Sequence, residues 1–137
     1  MKTLVIVPCG KAKIWNKNLD HKLVKAEDAY TGTFFKINKE FASTFGDNWI
    51  ILSAKYGFIF PQIMIENYDI SFNDKRTNPV STERLKEQIK IQKLFLNDKI
   101  IGLGGKEYRK KFQKLLMIIT LKSYFLLRIV QELWICR

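Results

Sequence analysis

Along the chain, apolar residues come in short unbroken runs separated by longer stretches with helical spacing. Leu4-Val5-Ile6-Val7 is such a run. Four apolar residues in a row, three of them β-branched, do not alternate between two faces, so the run predicts a strand buried on both sides, as in a parallel sheet. Pro8 is expected to end its ladder. Trp49 to Ala54 and Lys99 to Leu103 repeat the pattern. Between the first two strands, Phe34, Ile37, Phe41 and Phe45 share one helical face and Lys36, Lys39 and Glu40 the other, with Gly46 as the stop. Ser81 caps a helix expected to run to about Asn97, with Leu85, Ile89, Phe95 and Leu96 on its apolar side. Gly104, Gly105 and Lys106 open a short helix that buries Tyr108, Phe112, Leu115 and Leu116.

The linking segments carry no such periodicity. Lys11 to Glu27 is expected to be a long loop, and Asp28 to Gly32 a turn that opens a helix. Phe58 to Phe72 is apolar but interrupted by Pro61, so it is expected to cross the sheet's edge without regular structure; Asn73 to Pro79 is a polar connection. Alternating strands and helices with long connections predict an α/β fold of three layers, with a short, mostly parallel sheet and flanking helices. Residues 1–116 are expected to form one such domain. Met117 to Leu121 suits a fourth strand, and Tyr124 to Arg137 shows no cap, turn or glycine, so 117–137 is read as an irregular tail.

Composition adds charge to this picture. The 137 residues hold 24 Lys and Arg against 13 Asp and Glu, a formal charge of +11. Such an excess attracts polyanions, so nucleic acid or a nucleotide is the expected partner class; a lysine-rich proteome accounts for the bias equally well. Cys9 and Cys136 lie at opposite ends without a Cys-x-x-Cys, and His21 stands alone among polar neighbours, which disfavours a zinc site or a disulfide framework. No metal and no cofactor is expected. The first apolar run is too short for a signal peptide, and Leu115 to Leu121 too short to span a bilayer that needs roughly 20 residues. A cytoplasmic protein without a membrane segment is the expectation; oligomeric state is left open.

Each predicted strand ends in small, polar or basic residues. If the sheet is parallel, Cys9 to Lys13, Ser53 to Gly57 and Gly102 to Lys106 meet on one edge, where ligands bind in open α/β sheets. Cys9 is the candidate nucleophile, since neighbouring Lys11 and Lys13 favour a thiolate; a small buried hydrophobe is the competing role. Lys13 and Lys55 suit an anion as point charges, or are simply solvated. Glu66 and Asp69 are candidate proton carriers or acceptors for a base's exocyclic amine; a salt bridge to Lys55 or a turn cap is the alternative. Lys11, Tyr30, Thr31, Ser53 and Tyr56 complete the expected substrate contacts. Gly104 and Gly105 offer backbone amides to an anion, but Glu107 stands where a P-loop needs Ser or Thr and a dinucleotide fingerprint needs Gly. Lys106, Arg109, Lys110 and Lys114 form a stripe able to follow a nucleic-acid backbone, or a solvated helix face.

Four ordered motifs carry a resemblance: Pro8-Cys9-Gly10-Lys11-Ala12-Lys13, Tyr30-Thr31-Gly32, Ser53-Ala54-Lys55-Tyr56-Gly57 and Glu66-Asn67-Tyr68-Asp69. Over about residues 3–116 the chain resembles a family of small uncharacterised bacterial and phage domains with these motifs in this order. More distantly, Pro8-Cys9 with Lys13 is similar to the Pro-Cys-x-x-x-Lys signature in the catalytic region of archaeosine synthase, a domain similar to uracil-DNA glycosylases; Ile14 and Trp15 stand where that signature has Pro-Tyr. That likeness implies that Cys9 and Lys13 are site residues. Family members tend to end in a strand, a glycine turn and a glutamine-bearing helix, which is not matched after Leu116, and a frameshifted tail, with Trp134 and Ile135 exposed, is one explanation. Taken together, an enzyme acting on a nucleobase, nucleoside or nucleic acid is the leading expectation. A non-catalytic nucleic-acid-binding module and an inactive truncated family member stand beside it.

Overall fold

The computed structural model describes residues 2–122; nothing is stated for the side chains of 116–122. The expected tail beyond Lys122, with Trp134, Ile135 and Cys136, lies outside the described residues. The elements run β1 (Thr3–Pro8), β2 (Val24–Lys25), α1 (Ala26–Ala29), α2 (Thr33–Phe45), β3 (Asn48–Ser53), β4 (Gly57–Ile59), β5 (Met64–Ile65), α3 (Thr82–Ile91), β6 (Lys99–Gly102) and α4 (Lys106–Lys122), with single 3₁₀ turns at Ile14–Asn16, Lys75–Thr77 and Leu94–Leu96. The main sheet has the order β4-β3-β1-β6; β1 runs parallel to both β3 and β6, and β4 returns antiparallel to β3. This is the mostly parallel α/β sheet that the apolar runs predict.

β1 is central because it is buried on both faces. Val5 and Val7 point with Ile51 and Ile101 into a core closed by Trp15, Tyr30, Phe35, Ala42 and Tyr68. Leu4 and Ile6 point with Ile50, Leu52 and Ile100 into a second core closed by Phe58, Leu85, Ile89, Leu94 and Phe112. The result is three layers.

Several local expectations are corrected. Pro8 ends β1 as expected, but as a paired residue opposite Leu52, and the Cys9 N–H adds one more bond to the Leu52 carbonyl at 3.0 Å. Cys9 turns its N–H toward β3, so Pro8, one residue earlier, turns its nitrogen to the other side, beyond the end of β6, where no ladder bond is lost. On α2 the buried face is Phe35 with Ala42, while Phe34 is 65% and Phe45 63% exposed. α3 stops at Ile91, because Lys93 takes a left-handed conformation (φ 53°) before the 3₁₀ turn.

The segments expected to be irregular contain paired backbone. Phe58 to Phe72 holds most of β4 and all of β5, and β5 pairs antiparallel with β2 inside the expected 11–27 loop. Met117 to Leu121 is not a strand; α4 continues through it, 17 residues in all. Among the described residues no helix is long and apolar enough to cross a membrane.

Candidate functional site

The parallel sheet brings the ends of β1, β3 and β6 to one edge. From β1 the chain passes Cys9, Gly10 and Lys11 to Lys13, which forms an isolated antiparallel bridge with Tyr30. The Lys13 amide donates to Asn16 Oδ1 at 2.7 Å, and the Thr31 amide donates to the Ala12 carbonyl at 3.1 Å. The loop is thereby held on both sides, and Lys13 is left only 6% exposed. Its Nζ donates to the Lys11 carbonyl at 3.2 Å and lies 4.5 Å from the centre of the Tyr68 ring. Burial holds the amine's pKa below the ordinary lysine value; Cys9 and Asp69 pull it back up, and Lys11 lowers it further.

Behind Lys13 lies a buried chain of hydroxyls. Ser53, fully buried at the end of β3, accepts from the Lys55 and Tyr56 amides at 3.2 Å each, which fixes the turn into β4. Its Oγ donates to the Tyr68 hydroxyl at 3.0 Å, which is in turn 2.6 Å from the Tyr30 hydroxyl. Burial pushes both phenols well above the ordinary range, so both remain neutral hydrogen-bonding groups. Three of the four motifs therefore meet here through their hydroxyls. Tyr30 and Ser53 stand behind the site, holding the ring on which Lys13 rests.

Cys9 is half-buried, and its Sγ lies 3.3 Å from the Tyr108 hydroxyl on α4, which also donates to the Cys9 carbonyl at 3.3 Å. Burial, and then Cys9, raise the Tyr108 pKa as well. Gly104, at φ 131°, makes this contact possible, because a Cβ there would sit 2.9 Å from Tyr108 Cβ.

Two cavities open at this edge. One, of about 520 Å³, is lined among others by Cys9, Lys11, Lys13, Asp69, Phe72 and Tyr108. The other, of about 660 Å³, is lined by Lys11, Ala12, Lys13, Asn16, Asn67, Tyr68 and Asp69. Lys11, Lys13 and Asp69 line both, so they form the partition between the two spaces. A further hollow of about 650 Å³ lies at the opposite end of the strands, between Leu4, Trp49, Phe60 and Leu96; it presents no thiol and no buried cation.

Of the expected site residues, the structure brings together Cys9, Lys11, Lys13 and Asp69. It does not bring the others to the cavities. Lys55 is exposed, with its Nζ 5.0 Å from the centre of the Tyr56 ring. Tyr56 uses its hydroxyl to accept the amide of Glu66 at 3.2 Å, and Glu66 is exposed. Thr31, Gly104 and Gly105 line neither space. Lys106, Lys110 and Lys114 are exposed on α4, and Arg109 is half-buried. Tyr108, Phe72, Asn16 and Asn67 are among the lining residues that sequence reasoning missed. Asn67 sits inside a motif already singled out, whereas Tyr108 carries only the signal of a helix-core aromatic. Among the described residues no group of three or more His, Cys, Asp or Glu is placed to hold a metal ion.

Comparison with known proteins places this chain in a family. The family of unknown function DUF6884 matches residues 4–123. The chain is 40% identical over 110 residues to the uncharacterized protein YfjM of Bacillus subtilis (strain 168), covering 80% of this chain and 73% of that protein. No solved structure matches. The chain belongs to the DUF6884 family.

Proposed function

We propose that this family member is an enzyme acting on a nucleobase, free or carried in a nucleoside or nucleic acid, at the paired cavities beyond β1 and β3. One observation carries the reading: Lys13 is buried at the partition between the two cavities, beside Cys9 and Asp69. The buried amine has the Lys11 carbonyl and the Tyr68 ring as neutral partners and, among the described residues, no carboxylate within ion-pair distance, so an electron-rich ligand atom offsets part of its burial cost. Phe72 and Tyr108, in edge-to-face contact with ring centres 5.8 Å apart, supply aromatic surface to the Cys9 cavity. The Cys9 thiol passes its proton to Asp69 and adds to an electrophilic ring carbon, the C=N π pair moves onto the ring nitrogen, and Lys13 holds the charge that develops there. Glu66, outside the cavities, is left to the turn. The Pro-Cys-x-x-x-Lys likeness to archaeosine synthase supports the same two residues, Cys9 and Lys13.

The test is a panel of nucleobases and nucleosides, with binding read by thermal shift and product by chromatography. Asp69→Asn is expected to remove turnover while leaving binding within about threefold, and Lys13→Met to weaken binding about tenfold or more. Binding that is indifferent to Lys13→Met rejects the pocket.

A second reading, a non-catalytic nucleic-acid-binding module, is favoured by the exposure of Lys106, Lys110 and Lys114 at four-residue intervals on α4. In that case Lys110→Glu weakens oligonucleotide binding and Asp69→Asn changes nothing. The tail is a separate proposal: an altered reading frame after Leu116, checked by translating the gene's other frames for a strand, a glycine turn and a glutamine-bearing helix.

A further inference from the structure

We infer that the mouth of the Cys9 cavity carries a phosphate-binding rim formed by Lys75, Lys111 and Lys114, so that the ligand of this pocket bears a phosphate rather than being a free base. The inference rests on the pocket reading above and adds the substrate's charge to it.

Lys111 is not part of a solvated stripe. Its Nζ lies 4.3 Å from the centre of the Phe72 ring, and Phe72 lines the cavity. Burial lowers the pKa of this amine, and Lys114 and Lys75 lower it further by like-charge repulsion. Lys114 stands one turn along α4, while Lys75 opens the separate 3₁₀ turn, whose last residue Thr77 and preceding residue Asp74 line the same cavity. Two elements far apart in sequence thus place lysines beside lining residues of one cavity, Lys111 on Phe72 and Lys75 next to Asp74.

Their own carboxylates do not neutralise them. Asp74 is occupied on both oxygens by Arg76, at 3.0 and 3.1 Å. Glu107 attracts Lys111 but lies beyond ion-pair distance, and among the described residues none of the three amines is in a salt bridge. Lys111, partly desolvated on an aromatic face and repelled by Lys114 and Lys75, is a cation that an incoming dianion relieves. Phosphate fits that chemistry, and it reaches such a pocket on a mononucleotide or as part of a strand.

The experiment uses the full chain with three probes: a nucleoside, its 5′-monophosphate, and a short single-stranded oligonucleotide. Affinities are measured at two salt concentrations for the wild type, Lys114→Gln, Lys111→Gln and Lys111→Arg. Lys114 is exposed on its helix, so its replacement removes charge without disturbing the core. Lys114→Gln and Lys111→Gln are each expected to weaken the monophosphate about tenfold and leave the nucleoside unchanged, with Lys111→Arg restoring most of the loss. If the strand is the natural source, it binds tighter than the monophosphate, and each Gln variant lowers its salt slope by about 1. Monophosphate affinity equal to that of the nucleoside, or unmoved by either Gln variant, overturns the rim. Lys13→Met separates the two ideas: if it abolishes nucleoside binding while the rim variants do nothing, the pocket stands without the rim. If the rim variants act and Lys13→Met does not, the amines bind phosphate at a surface unconnected with the pocket.

Discussion

Lys13 has consequences that reach beyond the ligand. Its amine titrates in the folded chain below the unfolded value near 10.5, so between those two points the unfolded chain binds the extra proton and stability rises with pH. Tyr30, Tyr68 and Tyr108 act in the opposite sense. Their folded values lie above the ordinary 10.0, so above about pH 10 the unfolded chain sheds phenol protons that the folded chain keeps, and stability falls. Urea midpoints measured from pH 7 to 11 are therefore expected to climb and then drop. Lys13→Met should reduce the climb, leaving the part that Lys111 contributes, keep the drop, and be at least as stable as the wild type at pH 7; an unchanged climb below about pH 10 in that variant refutes the account. At this scale the chain was partly legible. Cys9, Lys11 and Lys13 follow a buried strand directly, so the strand's direction alone carries them to the site. Ser53 and Tyr30 lie behind the cavities, and this was not legible because a hydroxyl's spacing does not reveal whether it faces a cavity or, as here, another hydroxyl 2.6–3.0 Å away.

Elements were legible where burial left one solution and ambiguous where it left two. Leu4 to Val7 is apolar at every position and admits only a doubly buried strand. α2 has apolar residues at 34, 35, 37, 41, 42 and 45, enough for two overlapping faces. The larger face, with Phe34 and Phe45, is not the one buried, because a helix packs closely on a strand through a small residue, here Ala42, flanked by one ring, Phe35. Phe35→Ala is thus expected to cost about 3–5 kcal/mol, and Phe34→Ala less than about 0.5 kcal/mol. Chemical denaturation of the two variants decides it, and equal losses exclude the assigned face. β2 and β5 escaped notice for a different reason. Strands of two residues carry no period, and their pairing joins segments far apart in the chain, as in Val24 with Ile65.

For the whole molecule, the excess of 24 cations over 13 anions opposes compaction, because like charges spread over one small body repel in the folded state more than in the expanded chain. The ion pairs present do little to offset this. Those among the described residues, such as Arg84 with Glu87 at 3.1 Å, are surface contacts of the kind worth about 0–1 kcal/mol. The rim amines gather part of that repulsion at one mouth, and the basic face of α4 carries more. Raising sodium chloride from about 0.01 to 0.1 M shortens the screening length from about 30 to 10 Å, below the span of a domain of this size. The melting temperature is therefore expected to rise over that interval. Replacing chloride by phosphate at equal ionic strength should raise it further in the wild type but not in Lys111→Gln, since screening is common to both chains and the occupied rim is not. A melting temperature that falls with added salt means that attractive pairs outweigh the net charge. A phosphate effect that survives in Lys111→Gln assigns the anion to another surface.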